Sequence, residues 1–400
     1  MSTVFEPTLS AAWARLDAVD AEVYARTRNH LGAGATGLGP YLTHGLLSSA
    51  DVLASVASRQ PLQVQDKLVF ELGWRAYYRH VWAHRGAGIG VSLHAGPLPD
   101  EAYRRALPED LRQGRTGVPV VDQAVRALYE TGYLHNHARL WLASHVVHQC
   151  KVHWRVGADW LYGHLLDGDL ASNFMSWQWV AGTGSHKPYV FNAENVARFA
   201  PEAWHSPGTL LDTDYETLDR RARDPAWRAP QAPPGVAPGL SEPPLCSHPP
   251  EALGFTAPQP DLVAGREVWL VHPWQLGTLP ADLPADAVVV GVAVADFHRQ
   301  HPWSERRWHF VGQRLAELAA LRWFGSAAEL AHALGGARRV RCVADPHLVP
   351  WLPEEAAGVE WAPAPSVFLT VARRCDSFSA WWKQAVPARG SVQDTLLQSG

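Results

Sequence analysis

Prolines divide this chain into two parts that have different sequence patterns. Residues 225 to 260 contain eleven prolines in 36 positions, and six of these prolines form three Pro-Pro pairs. Proline has no amide hydrogen and restricts its own backbone, so neither a helix nor a central strand tolerates this density. A chain of 400 residues is also long enough for two domains. We therefore predict that residues 205–264 form a proline-rich linker.

The part before the linker, residues 1–204, has a helical pattern. Apolar residues recur at three- and four-residue spacing in Val120–Glu130 and again in His135–Trp154. Gly132 lies between these segments, where a helix commonly ends on a glycine. The pattern predicts an all-α domain over residues 1–204.

The part after the linker alternates between strand-like and helix-like segments. The segments are, in chain order, Glu267–His272, Ala287–Ala295, Ser304–Phe324 and Arg338–Ala344. The first, second and fourth are short apolar or β-branched runs typical of buried parallel strands. This alternation predicts a smaller α/β, Rossmann-like domain over residues 265–375, followed by an aromatic helix and tail over residues 376–400.

Composition excludes several classes of protein. With 47% apolar and 18% charged residues the chain is globular, and a net charge of −4 argues against a histone-like nucleic-acid binder. The nine-residue run Ala287–Ala295 is too short to cross a bilayer, and Met1–Leu16 has no secretory pattern, so we expect a cytoplasmic protein. The four cysteines form no Cys-x-x-Cys pair, and we expect no metal site.

Four segments of the helical part combine residues that carry chemistry. They are Phe70–Arg79, Thr116–Asp122, Thr131–Arg139 and Leu165–Trp179. In the last segment, Asp167 and Asp169 flank a glycine and precede Asn173 and a Trp-x-Trp sequence. Taken together and in this order, the segments resemble the FAD-binding domain of the DNA photolyase and cryptochrome family over residues 8–204.

The resemblance implies FAD as cofactor and assigns its contacts to particular side chains. The implied FAD-binding residues are Tyr24, Thr36, Leu38, Arg75, Asn136, Arg139, Asp167, Asp169 and Asn173. By the same resemblance, Asp169 bonds the pyrimidine edge of the flavin, Asn173 faces flavin N5, and Arg139 pairs with Asp167. The implied fold is an all-α photolyase-type FAD-binding domain followed by the α/β domain.

The resemblance also implies a blue-light reaction on damaged DNA. A pyrimidine dimer must leave the base stack to reach a buried flavin, which costs a few kcal/mol. Stacking on an aromatic ring recovers about 1–3 kcal/mol per base. The family pattern assigns the dimer contacts to Glu71, Trp74, Asn136 and Trp179. It assigns electron transfer to the flavin to Trp177 and Trp154.

The sequence departs from the family pattern at several positions. The segment Ala35–Leu42 has fewer hydroxyl groups than the phosphate loop of the family, and His137 replaces a frequent DNA-contacting arginine. No tryptophan occupies the outermost electron-transfer position, where Tyr103 is the nearest aromatic residue in sequence. The α/β domain also follows the helical domain, although family members usually have an antenna-like α/β domain first.

Three functions remain open on the sequence alone. The first is a photolyase-like lyase that repairs cyclobutane pyrimidine dimers, with damaged DNA as partner and a second, antenna chromophore as an additional ligand. The second is a cryptochrome-like photoreceptor without repair activity, which the departures at His137 and in the phosphate loop favour. The third is a degenerate flavin domain that serves as an interaction module.

Overall fold

The computed structural model describes residues 5–231, 239–352, 358–386 and 392. All regular elements of residues 5–231 are helices, which confirms the helical prediction for this part. The α-helices are α1 Leu9–Asp17, α2 Ala21–Thr27, α3 Gly39–Thr43, α4 Ser49–Arg59, α5 Lys67–Arg85, α6 Glu109–Arg112, α7 Pro119–Thr131, α8 Asn136–Ser144, α9 Trp154–His164, α10 Leu170–Ala181, α11 Ala193–Phe199 and α12 Tyr215–Arg223.

Local signals explain where several of these helices end. Helix α7 ends at Gly132, whose positive φ of 68° suits glycine, as the sequence predicts. The continuous helix predicted over His135–Trp154 is wrong. Helix α8 passes into a π-helical turn at His145–Gln149, and the chain then turns at Lys151, which has a φ of 53°. The helical spacing continues across this turn, so periodicity alone does not reveal the break.

The part after the linker contains a five-stranded parallel sheet. The elements of this part are β1 Leu245–Cys246, β2 Glu267–Val271, β3 Val288–Val294, α13 Ala295–Gln300, β4 Trp303–Ser304, α14 Glu305–Leu318, β5 Leu321–Gly325, α15 Ala327–Leu334, β6 Arg339–Val343, β7 Val359–Ala362 and α16 Phe378–Ala385. The strand order is β5-β3-β2-β6-β7, and every pairing is parallel. The order reverses between β2 and β6, as in doubly wound sheets, which confirms the α/β, Rossmann-like prediction.

The helix predicted over Ser304–Phe324 is too long. Helix α14 ends at Leu318, and Leu321–Gly325 forms β5, which pairs with β3. The apolar residues Trp323 and Phe324 continue the helical spacing by chance, and only the pairing with β3 makes this segment a strand. Strand β7 was also not predicted, because four residues are too few for a clear alternating pattern.

The segment predicted as a linker contains an α-helix, a short strand and two short 3-10 helices, Glu251–Leu253 and Pro260–Leu262, among its described residues. Helix α12 buries Leu218 and Ala222 against the helical part, so that part extends to about residue 223. Strand β1 pairs antiparallel with β4 of the second part. Residues 239–264 otherwise have little regular structure, as their proline content predicts. Residues 232–238 lie outside the described residues.

The two parts of the protein share one continuous apolar core. Arg307 of α14 is fully buried and donates to the carbonyls of Tyr162 and Gly168 in the helical part. The predicted C-terminal helix exists as α16 and packs on α5, while most of the predicted tail beyond residue 386 lies outside the described residues. No helix in the described ranges is long and apolar enough to cross a membrane.

Candidate flavin site

Helix α10 begins at the centre of the site. Asp169 is its N-cap, since its Oδ1 accepts a hydrogen bond from the Ser172 amide at 2.9 Å. Asp169 Oδ2 lies 2.9 Å from Arg79 Nη2 and 3.6 Å from Arg75 Nη2. Burial by itself raises the pKa of Asp169, but the two guanidinium groups outweigh it and hold this pKa well below its usual range. Asp169 therefore stays ionised.

A second buried carboxylate, Asp167, forms the ion pair that the family resemblance implies. Arg139 Nη2 donates to both carboxylate oxygens of Asp167, at 2.9 and 2.8 Å, and Arg139 Nε donates to the Leu134 carbonyl. Gly39 approaches this pair so closely that any side chain there would collide with the Asp167 carboxylate. The ion pair is therefore held from α8 on one side and from the start of α3 on the other.

Asp167, Asp169 and Arg139 line a cavity of about 150 Å³ in the helical part, which we call the polar cavity. Among the residues predicted to contact FAD or to carry electrons, the lining includes Asn136, Arg139, Asp167, Asp169, Asn173 and Trp177. Ser172 also lines the cavity, and its buried Oγ has no hydrogen-bond partner among the described residues. A buried hydroxyl without a partner costs free energy, so a polar ligand in the cavity would relieve it. The residues present fit a polar, planar cofactor.

The predicted phosphate loop lies beside this cavity and does not line it. Thr36 Oγ1 accepts from the Leu38 amide at 3.3 Å, and Leu38 is the buried residue that precedes α3. The turns at Gly34 and Gly37 have positive φ values of 75° and 63°, which glycine adopts without strain. Arg75 connects the loop to the cavity, because its Nη2 faces both the Leu42 carbonyl and Asp169.

Glu71 and Tyr24 lie near one another at the edge of the helical part. Glu71 Oε1 is 3.3 Å from Arg28 Nη1, yet burial raises the pKa of Glu71 above its ordinary value. Burial also raises the pKa of Tyr24, and the charge of Glu71 adds to this shift. A carboxyl group with a raised pKa is suited to donate a hydrogen bond to a carbonyl oxygen.

Two predicted substrate residues, Trp74 and Trp179, line a second cavity of about 230 Å³, which we call the aromatic cavity. Met175 of α10 and Phe378 of α16 also line it. Phe378 stacks on Trp74 with a centroid distance of 4.0 Å and an interplanar angle of 14°. One face of Trp74 is therefore covered by the C-terminal helix, and only its other face is available to a base. The sequence predicts the aromatic helix that contains Phe378, but not its contact with Trp74.

The two predicted electron carriers are both buried. Trp177 lines the polar cavity, and Gly157 of α9 leaves room for its ring. Trp154 Nε1 donates to Ser92 Oγ at 2.9 Å. The next rings outward from Trp154 are His153, at a centroid distance of 5.8 Å, and Tyr103, 6.3 Å from His153. Tyr103 is therefore connected to Trp154 through the ring of His153.

The sequence analysis missed three residues of this region. Arg79 bonds Asp169, Ser172 presents its hydroxyl to the cavity, and Phe378 covers Trp74. Arg79 is four residues after Arg75, and this helical spacing was an available signal for a second guanidinium on the same face. Among the described residues, no group of three or more His, Cys, Asp or Glu side chains is arranged to hold a metal ion.

The sequence of the helical part is similar to those of known proteins. Residues 68–204 match the family model of the FAD binding domain of DNA photolyase. A deoxyribodipyrimidine photo-lyase of Synechococcus is 32% identical in an alignment 248 residues long that covers 54% of this chain and 50% of that protein. The Thermus thermophilus photo-lyase is 38% identical in an alignment 199 residues long that covers 47% of this chain and 46% of that protein.

Cryptochromes are similar to the same region. Cryptochrome DASH of Oryza sativa is 33% identical over 204 residues, 45% of this chain and 34% of that protein. The crystal structure of a Synechocystis cryptochrome is 25% identical, covers 50% of this chain and 44% of that chain, and has a TM-score of 0.43. The chain spans about half the length, or less, of the curated relatives that it matches.

Residues 68–204 therefore form a FAD-binding domain of the photolyase/cryptochrome family, as the sequence motifs predict. The cofactor of this domain is FAD. The polar cavity, with its ion pair and the unpartnered hydroxyl of Ser172, is the part of the domain whose residues fit it.

Proposed function

We propose that the protein uses light and bound FAD to repair cyclobutane pyrimidine dimers in DNA. One observation carries the proposal: helix α10 contributes residues both to the polar cavity and to the aromatic cavity. Asn173 and Trp177 line the first cavity, and Met175 and Trp179 line the second. A cofactor in one cavity and a base in the other would lie on two sides of one helix, close enough for electron transfer.

The aromatic cavity is suited to an unstacked base. A dimer that leaves the duplex loses stacking, and each aromatic ring that it meets recovers about 1–3 kcal/mol. Trp179 is 42% exposed and is free to take this role, while Trp74 offers the face that Phe378 leaves uncovered. In this proposal Glu71 donates a hydrogen bond from its carboxyl group to a carbonyl of the dimer.

The polar cavity is suited to hold and orient FAD. Reduced FAD, when bound, supplies the electron that splits the dimer. Asp169 accepts hydrogen bonds in its ionised form, and Asn136 and Asn173 offer amide groups on the wall of the same cavity. The Asp167–Arg139 pair keeps a positive and a negative charge fixed beside the cofactor, so no charge has to be reorganised during electron transfer.

Repair is tested with the full chain loaded with FAD and reduced. An oligonucleotide that contains a thymine dimer is illuminated with the protein, and recovery of thymine absorbance is followed. Glu71→Ala should lower the repair yield without changing flavin content. The control is Glu22→Ala, which removes an exposed carboxylate of α2 and should leave the yield unchanged. The absence of repair by FAD-loaded wild type, under conditions where a known photolyase repairs, would rule the proposal out.

A second function, light sensing without repair, is favoured by the contact between Phe378 and Trp74. A C-terminal helix that packs on a wall of the aromatic cavity occupies space that a base would need. The variant Phe378→Ala separates the two functions. Repair by the wild type at the same rate as the variant supports repair, whereas repair by the variant alone supports a sensor in which α16 closes the cavity.

A further inference from the structure

The crevice of the α/β part where doubly wound sheets bind ligands is in contact with the flavin site. The strand order reverses between β2 and β6, and ligands usually bind outside the carboxyl ends of the strands at such a point. Strand β6 ends at Val343, and the chain continues through Asp345, Pro346 and His347. Asp345 and His347 are both buried, and their partners are residues of α5 and α10.

One guanidinium group bridges the two parts of the protein. Arg79 Nη1 donates to Asp345 Oδ2 at 2.9 Å, and its Nη2 donates to Asp169 Oδ2 at 2.9 Å. The fork of an arginine holds two carboxylates in a fixed relation, which a lysine cannot do. The position of Arg79 beside Asp169 is therefore set by Asp345, a carboxylate that lies 266 positions after Arg79 in the chain.

His347 fixes the start of α10 from the same side. The Leu170 amide donates to His347 Nε2 at 3.3 Å, so this nitrogen carries the lone pair. The proton is then on Nδ1, which donates to Asp345 Oδ1 at 2.6 Å. The ring is also stacked on Trp274, at 4.5 Å and 5°, and meets the edge of Trp82. His347 is thus held rigidly between the α/β part and the first turn of the helix that carries Asp169.

We infer that Asp345 and His347 are positioning residues of the flavin site, and that the switch-point crevice of the α/β part serves this purpose. Asp345 orients Arg79, and the positive charge of Arg79 is shared between Asp345 and Asp169. His347 caps α10 beside Asp169. The inference deepens the proposed function and rests on its first element, the binding of FAD in the polar cavity.

The charge balance gives the direction of the effect. Arg79 now faces two carboxylates, so part of its positive charge is neutralised from the α/β part. Asp345→Asn removes that negative charge and leaves the cavity more positive, which favours the reduced, more negative cofactor. We expect a more positive midpoint potential of bound FAD, and an affinity for FAD about tenfold weaker because Arg79 is less firmly held.

The experiment compares FAD affinity, by flavin fluorescence, and midpoint potential across matched variants of the full chain. Asp345→Glu keeps the charge and should have a potential close to that of the wild type. Asp376→Asn is the control, since Asp376 is an exposed carboxylate that faces Arg85 of the same helix α5. A wild-type potential and affinity in Asp345→Asn would overturn the inference.

Asp345→Asn leaves Arg79 with one carboxylate fewer, which can prevent folding because a cation away from water is costly without its partners. A second variant decides that case. His347→Gln changes no charge, since His347 is neutral, and should weaken FAD binding while leaving the midpoint potential unchanged. Unchanged FAD affinity in His347→Gln would overturn the inference in that case. If the wild type binds FAD but repairs no dimers, the proposed repair activity is ruled out. The measurements of affinity and potential still test the inference, because they require only FAD binding.

Discussion

The helical part and the α/β part place their buried charges differently. In the helical part, Asp167, Asp169 and Arg139 line a cavity, and burial is tolerated because each charge has a partner, Arg75 and Arg79 serving Asp169. The α/β part buries large apolar rings, such as Trp303, Trp308 and Trp323, and its buried Arg307 donates to backbone carbonyls of the helical part. One of its buried acids, Asp345, contacts Arg79 of the helical part. The difference indicates that cofactor chemistry belongs to the first part, and that the second supports it through the loop after β6 and through Arg307.

The comparison predicts the largest effect at the buried ion pair of the helical part. Asp167→Asn leaves the Arg139 charge without its partner, so we expect a loss of about 3–5 kcal/mol in the free energy of unfolding and a loss of FAD uptake. Urea unfolding and flavin content measure the two effects. Glu130→Gln, on an exposed pair with Arg126, is the control and should cost under about 0.5 kcal/mol.

A truncation in the α/β core tests the other side of the comparison. Leu315 of α14 is fully buried against the sheet, so Leu315→Ala should cost about 2–5 kcal/mol in the free energy of unfolding. Because Leu315 is remote in the fold from the β6–β7 connection, folded Leu315→Ala protein should keep the wild-type FAD affinity. A flavin affinity that falls in step with stability would show that the two parts are not separable in this way.

Buried histidines of the helical part predict a pH dependence of stability. Burial lowers the pKa of His145 to about 4, whereas an unfolded histidine titrates near 6.5. Between these values the unfolded chain takes up a proton that the native state does not, so stability is lost as pH falls from about 6.5 towards 4. In His145→Leu up to about 3 kcal/mol of this loss should disappear, measured by urea unfolding at several pH values. Parallel pH curves for the two proteins would contradict the assignment.

The smallest effect is expected at the phosphate loop. Thr36→Ala removes the hydroxyl that bonds the Leu38 amide, and one hydrogen bond of this kind is worth about 1 kcal/mol. FAD affinity should fall by roughly five- to tenfold, with the midpoint potential unchanged. Thr217→Ala on α12 is the matched control. An unchanged affinity in Thr36→Ala would show that backbone amides alone hold the phosphates.

Much of the fold follows from local patterns. The helical spacing before the prolines and the β-branched runs after them predict the two structural classes, because periodicity reflects which face of an element is buried. The errors occur where local pattern and long-range pairing disagree. Leu321–Gly325 continues a helical spacing but pairs with β3, and the π turn at His145–Gln149 interrupts a spacing that looks continuous.

The candidate site divides in the same way. Asn136 and Arg139 of α8, Asp167 and Asp169 before α10, and Asn173 and Trp177 of α10 come together in one cavity. Thr36 and Leu38 lie beside that cavity, and Phe378 covers a face of Trp74. The role of Phe378 depends on how α16 packs on α5, and no spacing within the sequence reports such a contact.

The sequence by itself determined the two structural classes, their order along the chain and the identity of the FAD-binding motifs, since each of these depends on residues close together in the chain. Only the tertiary structure decided what Asp345 and His347 contact. Arg79, Asp169 and Asp345 lie on three distant segments, and their meeting depends on how the sheet docks against α5 and α10. The physical reason is that the partner of a buried charge is the opposite charge nearest to it in the folded protein. The distance between two such groups depends on how whole helices and strands pack together.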